Sequence, residues 1–563
     1  MVSLSTVDRE KIIIKYKIST QLPQIRVVNH HVFLEDKMSA NADVHILAID
    51  LGTSGPKVAL YTAKGELIGC EFEPVPLLLL PNGGAEQDPQ DWWLSIRKAT
   101  NRLLGKNLVD PVLITTIGCT TQWSGTVAVD EAGQPLMNAI IWMDSRGAPY
   151  VQRITSGPIK LGGYGVDKLF HWIRLTGGIP VQSGKDPIAH ILYIQNELPE
   201  IYRRTYKFLE PKDYINLVLT GKMAASTDSI TLHWLTDNRD LSRVSYNQKL
   251  IRYTGIDREK LPELKLAVDI LGPIKPQVAA QLGLSEGVQV IMGTPDMQSA
   301  ALGAGAVKDF QAHAYIGTSS WVVCHVPYKK TDVMHNICTL PSAIPNRYFV
   351  IDEQETAGAC LAYLKDKLFF PKDEPPHQQP IDAFQILERM AESVPAGSEG
   401  LIFMPWLYGE RTPVDDRYVR GGFFNLSLRH TRAHLARSVY EGVALNTRWL
   451  LEIVEKFVDR RLEPINLAGG GASSNLWCQI YADVMGRIIH QVKDPFQANT
   501  RGVAYLAAVA MGYLKFEDIP DQVPIINTYH PKPENHRIYD QHFRELVGLY
   551  QRNAKAFARL NKA

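Results

Sequence analysis

Two stretches of this 563-residue chain carry residue types that could grip a phosphate. One runs from His45 through Asp50, Gly52, Thr53, Ser54 and Lys57 to Tyr61, and the other from Ala312 through Gly317, Thr318 and Ser319 to Val326. In each, two apolar runs flank a Gly-Thr-Ser bend, the pattern of a β-hairpin. The bend offers backbone N–H groups and hydroxyls in a conformation that glycine adopts cheaply. Asp50 stands where the first strand emerges, and a carboxylate there suits a hard cation such as Mg²⁺. Lys57 adds positive charge beside the first bend. Two such hairpins half a chain apart imply two similar halves with a nucleotide between them.

Four further constellations could act in that cleft. Val288 to Gly305 reads as a strand, a Gly-Thr-Pro bend and a small-residue helix with Asp296 at its mouth, where a helix-capping carboxylate is the plain alternative. Gln122, Trp123 and Ser124 sit in a polar loop between two strands, well placed to face a cleft, with an apolar ring for a sugar's C–H surface. Trp142, Asp144 and Arg146 end another strand, the acid and base on one side of it, as a salt bridge would be. Gly469, Gly470, Gly471 and Asn475 form a glycine turn into a helix, where bare backbone could lie flat against a base or ribose. Neither a dinucleotide Gly-x-Gly-x-x-Gly nor a Walker-type Gly-x-x-x-x-Gly-Lys-Ser/Thr occurs.

The run Asp50-Leu-Gly-Thr-Ser54-Gly, the turn Gly317-Thr-Ser319, the segment Ala468 to Asn475 and the stretch from Gly421 to Glu441 resemble, in this order, the FGGY carbohydrate kinases, most closely the xylulokinase-like branch. The likeness spans Val44 to Tyr513. It implies an α/β fold of two ribonuclease-H-like domains of the actin and sugar-kinase superfamily, with an interdomain cleft. The expected parts are an N-terminal extension over 1–43, a sugar-binding domain over 44–295, an ATP-binding domain over 296–530 and a last helix over 531–563. The expected activity is ATP-dependent phosphorylation of a small sugar or polyol, a xylulose-like ketose first. Ribulose, glycerol, a sugar acid or a signalling polyol is the alternative acceptor, and a nucleotide-gated sugar-binding protein without transfer is the rival from another class.

By the same resemblance ATP and Mg²⁺ are the cofactors. Asp50 positions the metal, while Gly52, Thr53, Ser54, Lys57, Gly317, Thr318 and Ser319 cradle phosphates. Gly469, Gly470, Gly471 and Asn475 receive adenosine. Asp296 is the catalytic base and touches the sugar, together with Gln122, Trp123, Ser124, Trp142 and Asp144; Arg146 is structural. Relatives carry Gln-Met-His-Gly where this chain has Gln122-Trp123-Ser124-Gly125, so the sugar pocket is expected to be kept but retuned. Asn425 replaces a usual glycine, which a left-handed backbone tolerates.

The elements that must position these groups follow from local signals. Asp88-Pro89 opens a helix to Leu104. Helical spacing recurs between Lys185 and Leu219, from Glu353 to Phe369, from Asn499 to Met511 and from Tyr539 to Tyr550. Phe370 to Pro380 reads as a proline-dense loop, and Glu410 with Arg411 as an ion pair on the cleft rim. The first 44 residues lack the order of a secretory signal and read as an appendage.

Sixty Lys and Arg against 59 Asp and Glu leave a net charge of +1, which offers no footprint for nucleic acid or an anionic membrane. The longest apolar run, Leu77 to Leu80, is far too short to span a bilayer. Six scattered cysteines without metal-ligand spacing suit a reducing, cytoplasmic setting. The partners expected are a small sugar or polyol and ATP, with a homodimer left open.

Overall fold

The structure is a computed structural model that describes residues 44–370 and 383–561. The N-terminal appendage (1–43) and nearly all of the expected proline-dense loop lie outside the described residues.

The first lobe grows from the first Gly-Thr-Ser hairpin. β1 (His45–Gly52) turns at Thr53 and Ser54 into antiparallel β2 (Gly55–Thr62), which pairs with β3 (Leu67–Phe72). α1 (Pro89–Leu104) starts where the Asp88-Pro89 pair predicts, the Asp88 carboxylate accepting from the Gln90 N–H at 2.8 Å. β4 (Ile114–Thr121) then runs parallel to β1, and α2 (Pro211–Thr220) packs against it. β5 (Ile270–Pro273) and β6 (Gln289–Ile291) complete the order β5-β6-β4-β1-β2-β3, while the short strand Thr294–Pro295 also pairs with β4. β1 and β4 are buried along most of their length; in β1 the run Ile46 to Ile49 is apolar without alternation, while β4 buries Thr116, Thr120 and Thr121.

After α3 (Asp296–Gly303) the second lobe repeats the plan. β7 (Ala312–Ile316) and β8 (Ser320–Val323) form its hairpin. A long helix, α4 (Arg432–Val458), precedes β9 (Ile465–Ala468); α5 (Asn475–Met485), β10 (Ile489–Val492), α6 (Ala498–Ala510), β11 (Ile525–Tyr529) and α7 (Pro533–Asn561) follow. The strand order is β8-β7-β9-β10-β11, with β7, β9 and β10 parallel. Each Gly-Thr-Ser bend therefore joins the last parallel strand of its lobe's run to an antiparallel neighbour.

The lobes meet where α3 crosses α6. A Cβ added to Gly502 would stand 1.7 Å from the Ser299 carbonyl oxygen, and one added to Gly303 would stand 1.8 Å from that of Ala498. The two helices thus touch backbone to backbone, a distance only glycine permits. α6 also lies on the first sheet, where Val503, Ala504 and Ala507 share a core with Ile46, Ala48 and Ala59, and the Tyr61 hydroxyl bonds Thr500 at 2.8 Å.

One helix start differs from the expectation. Instead of coiling from Glu353, the chain stays extended to Gln354, whose backbone pairs with Ser320 and whose side chain bonds Ser320 and the Asn446 carbonyl; the helix begins at Gly358. Those partners hold the segment flat against β8.

Candidate functional site

A cleft of about 700 Å³ opens between the lobes, and both Gly-Thr-Ser bends line it. Asp50 and Lys57 are register partners across the β1–β2 hairpin, so their side chains leave the same face and meet at 2.9 Å. The Lys57 ammonium also donates to the Phe496 carbonyl at 3.3 Å and lies 4.4 Å from its ring centre. Burial works against its charge, yet Asp50 outweighs that and raises the lysine above its ordinary value. Only one oxygen of Asp50 is used in this pair. The other, Oδ1, is buried without a partner.

β6 delivers Asp296 to the same cleft through a tightly constrained bend. Gly293 has φ +74°, and a Cβ there would stand 2.0 Å from the Cys119 carbonyl oxygen. Thr294 and Pro295 then pair with Thr120 and Thr121, and Asp296 opens α3 with Oδ1 accepting from the Met297 N–H at 2.8 Å. Its carboxyl keeps one face on the cleft but is enclosed by both lobes. Burial first, and the charge of Asp50 second, push it up to about 8 against the pull of that hydrogen bond. A carboxylate tuned this high accepts a proton strongly.

The expected acceptor loop also faces the cleft: Gln122, Trp123, Ser124 and Trp142 line it. Two of them are already committed to fixing the first bend. Gln122 accepts from the Thr53 hydroxyl at 2.9 Å and donates to Gln87 at 2.8 Å, while the Trp142 indole donates to the Thr53 hydroxyl oxygen at 2.9 Å. Trp123 is tied to the Ser229 carbonyl at 2.9 Å, and Ser124, at φ +66°, donates to the Lys185 carbonyl at 2.8 Å.

Asp144, expected to touch the sugar, is not brought to the cleft wall. It is 1% exposed, stands outside the cleft, and accepts from the N–H groups of Ala85 and Arg146 and from the Arg146 guanidinium, each at 2.9 Å. With Arg146 two residues on and facing the same way, its oxygens are consumed locally. Gly469, Gly470, Gly471 and Asn475 do not line this cavity either. Their turn abuts its wall, since a Cβ on Gly470 would meet the Phe496 ring at 3.5 Å, and the Asn475 side-chain Oδ1 accepts from the Tyr529 hydroxyl at 3.0 Å.

Several lining residues escaped the sequence reading. Tyr315 and Trp321 stack face to face on the two strands of the second hairpin, centroids 4.3 Å apart and planes 1° from parallel. Alternation held the clue: Ala312, Ala314 and Ile316 enter the core, which leaves Tyr315 on the other face. Nor do Glu410 and Arg411 pair with each other through their side chains. Arg411 reaches Glu353 and, at 3.0 Å, Glu355, which also binds Lys185 from the first lobe at 3.1 Å. Glu410 turns inward to accept from the Asn446 amide at 2.6 Å, and burial pushes its acid up to about 8. Adjacent side chains diverge there, one to the rim and one to the core.

The donor set fits a Mg²⁺ nucleotide. The orphaned Asp50 Oδ1 is the free carboxylate oxygen beside the first bend, and Ser54, Thr318 and Ser319 bring hydroxyls to the walls. Among the described residues no group of three His, Cys, Asp or Glu side chains could hold a metal ion, so such an ion would rest on Asp50, water and phosphate oxygens.

Comparison with known proteins agrees with this geometry. The N-terminal domain of the FGGY family of carbohydrate kinases matches residues 45–303, and its C-terminal domain matches 312–511. A xylulose kinase of Staphylococcus epidermidis is 29% identical over 92% of this chain and 98% of its own length. A gluconokinase of Bacillus subtilis is 26% identical over 87% of this chain and 92% of its own length. Among solved structures, a ligand-bound xylulose kinase from Lactobacillus acidophilus superposes with a TM-score of 0.79 at 24% identity, covering 92% of this chain and 99% of that one.

Proposed function

Since this chain belongs to the FGGY family of carbohydrate kinases, we propose that its interlobe cleft moves the terminal phosphoryl group of ATP to a hydroxyl of a xylulose-like ketose, with Asp296 as the base. The observation that carries the reading is the Asp296 carboxyl standing in the cleft that both Gly-Thr-Ser bends line.

Phosphoryl transfer asks the protein chiefly for alignment and for neutralisation of oxygen charge. Lys57 brings a fixed positive charge to the first bend, and the Thr53 hydroxyl is held there by Gln122 and Trp142. The backbone N–H groups and hydroxyls of Gly52 to Ser54 and Gly317 to Ser319 are the proposed phosphate cradle. Mg²⁺, when bound through Asp50, supplies neutralisation of phosphate charge. Asp296 takes the proton of the acceptor hydroxyl as the oxygen attacks. Trp123 offers a flat apolar face beside it, and Ser124 a hydroxyl. The glycine turn behind Phe496 is the proposed adenosine end.

Among the described residues no helix is long and apolar enough to cross a membrane, and the six cysteines are all unpaired. We assign the cytoplasm, where free thiols persist.

A second reading has its own observation. Lys185 and Arg411 both line the cleft, and a sugar acid such as gluconate would compete with Glu353 and Glu355 for them. Measuring ADP release with D-xylulose, D-ribulose, glycerol and D-gluconate separates the two. Turnover led by D-xylulose supports the ketose; turnover led by D-gluconate moves the assignment; absence of transfer to all four removes it.

A further inference from the structure

Behind the cleft, one buried array of ionisable side chains holds both of the loops that face the acceptor. The first turn of α2 carries Lys212 and Asp213, an ion pair with neither side chain more than 1% exposed. The Lys212 ammonium donates to the Met292 carbonyl at 3.2 Å, and the Asn216 amide donates to the same oxygen at 2.8 Å. Two residues on, the Thr294 hydroxyl donates to Asp228 Oδ2 at 2.5 Å. Asp296 follows after two more residues.

The same array reaches the other loop. Glu210, immediately before α2, accepts from the Gly125 N–H at 3.2 Å, and the carbonyl of Ser229, next to Asp228, accepts from the Trp123 indole. Glu210 and Asp228 are each 1% exposed or less. Taking such charges out of water is costly, and an apolar plug of equal volume would support the loops with as much stability. What a plug could not do is fix single backbone and hydroxyl atoms. Gly293 blocks displacement of the base-bearing bend toward β4, because a Cβ there would stand 2.0 Å from the Cys119 carbonyl oxygen, and the Lys212 side chain lies on that same side at 3.4 Å.

We propose that Asp228 and Glu210 are positioning residues for the transfer: Asp228 acts through Thr294 on the Asp296 carboxyl, and Glu210 acts through Gly125 on the acceptor loop. Base and acceptor then keep one mutual distance because one array sets both. This inference rests on the reading of Asp296 as the base. Its charges serve geometry and touch neither substrate.

The test compares Thr294→Val, which removes the hydroxyl but keeps the shape, with Thr294→Ser, which keeps it. With ATP and the most active acceptor of D-xylulose, D-ribulose, glycerol and D-gluconate, Thr294→Val should lower kcat roughly ten- to hundredfold while KM for ATP stays put. Thr294→Ser should restore kcat. Adding Asp228→Asn to Thr294→Val should cost little more, since both break the same bond. Unchanged kcat in Thr294→Val overturns the proposal, as does a loss that Thr294→Ser fails to restore. Should the wild-type protein transfer to none of the four, the kinase reading fails by itself. The hold of the Thr294–Asp228 bond on the bend is then read from amide hydrogen exchange across 292–298: faster opening in Thr294→Val but not in Thr294→Ser upholds that hold, and equal exchange in all three proteins overturns it.

Discussion

Asp50 and Lys57 face each other across the neck of the first hairpin at 2.9 Å, and the lysine holds one carboxylate oxygen while the other stays unbonded. The pair is buried, so removing one member leaves a stranded charge. Lys57→Met should destabilise the fold by ~3 kcal/mol in urea titrations, and Asp50→Asn in the same chain should recover much of that. Both proteins should lose turnover. Full stability in the Lys57→Met protein would show that the pair contributes nothing to the hairpin.

Asp296→Asn keeps the size of the side chain and removes the base. Turnover should fall by about a hundredfold or more, while ADP affinity measured by calorimetry remains that of the wild type. Because Asp296 must be ionised to accept a proton and its acid is held at about 8, kcat/KM of the wild type should climb as pH rises toward that value. A flat profile from pH 6 to 9 would exclude the assignment.

The same shift makes a stability prediction of definite sign. An acid raised in the folded state above its ordinary 3.8 binds more protons folded than unfolded, so stability falls as pH rises through the window from 3.8 to about 8. Asp296→Asn lacks that dependence. Its melting temperature should exceed that of the wild type at pH 8, and the gap should close toward pH 4. An equal gap at both pH values would contradict the burial of this carboxyl.

Gly502→Ala places a methyl group where the Ser299 carbonyl would be 1.7 Å away, and backbone cannot yield as a side-chain tip can. Overpacking of this kind should cost ~3 kcal/mol. Activity should fall with it, because Ser299 belongs to the helix that Asp296 opens. Chemical denaturation and kcat measured together check both parts.

Lys185 distinguishes the two acceptor classes. If a carboxylate-bearing acceptor is bound, Lys185→Met should raise KM for D-gluconate about tenfold and leave that for D-xylulose unchanged, the loss of one charged hydrogen bond. Equal effects on both acceptors would assign Lys185 to holding Glu355 across the cleft mouth.

The two hairpins, the bend before Asp296 and the first helix were legible because each is written in adjacent residues: a Gly-Thr-Ser bend between apolar runs, a glycine with positive φ, an Asp-Pro start. What escaped depends on side chains that meet over long separations. Nothing near Asp144 reveals that Arg146 takes its oxygens, since an acid and a base on one strand face serve either purpose. Arg411 selects Glu353 and Glu355 over its neighbour Glu410 because the fold brings those carboxylates across the rim while Asn446 draws Glu410 inward. The buried array under α2 was invisible for the same reason: Lys212, Asp228 and Thr294 are far apart in the chain and acquire meaning only when packed.

The contact of α3 with α6 makes a fulcrum, and Asp296 stands at the far end of the arm. α3 has eight residues, so the carboxyl stands roughly 10 Å from Gly303 along the axis. A tilt of about 5° at the glycine notch would carry the base about 1 Å, enough to forfeit in-line attack. The aim of the proposed base thus depends on how little slack two glycines leave, at a place no substrate ever reaches.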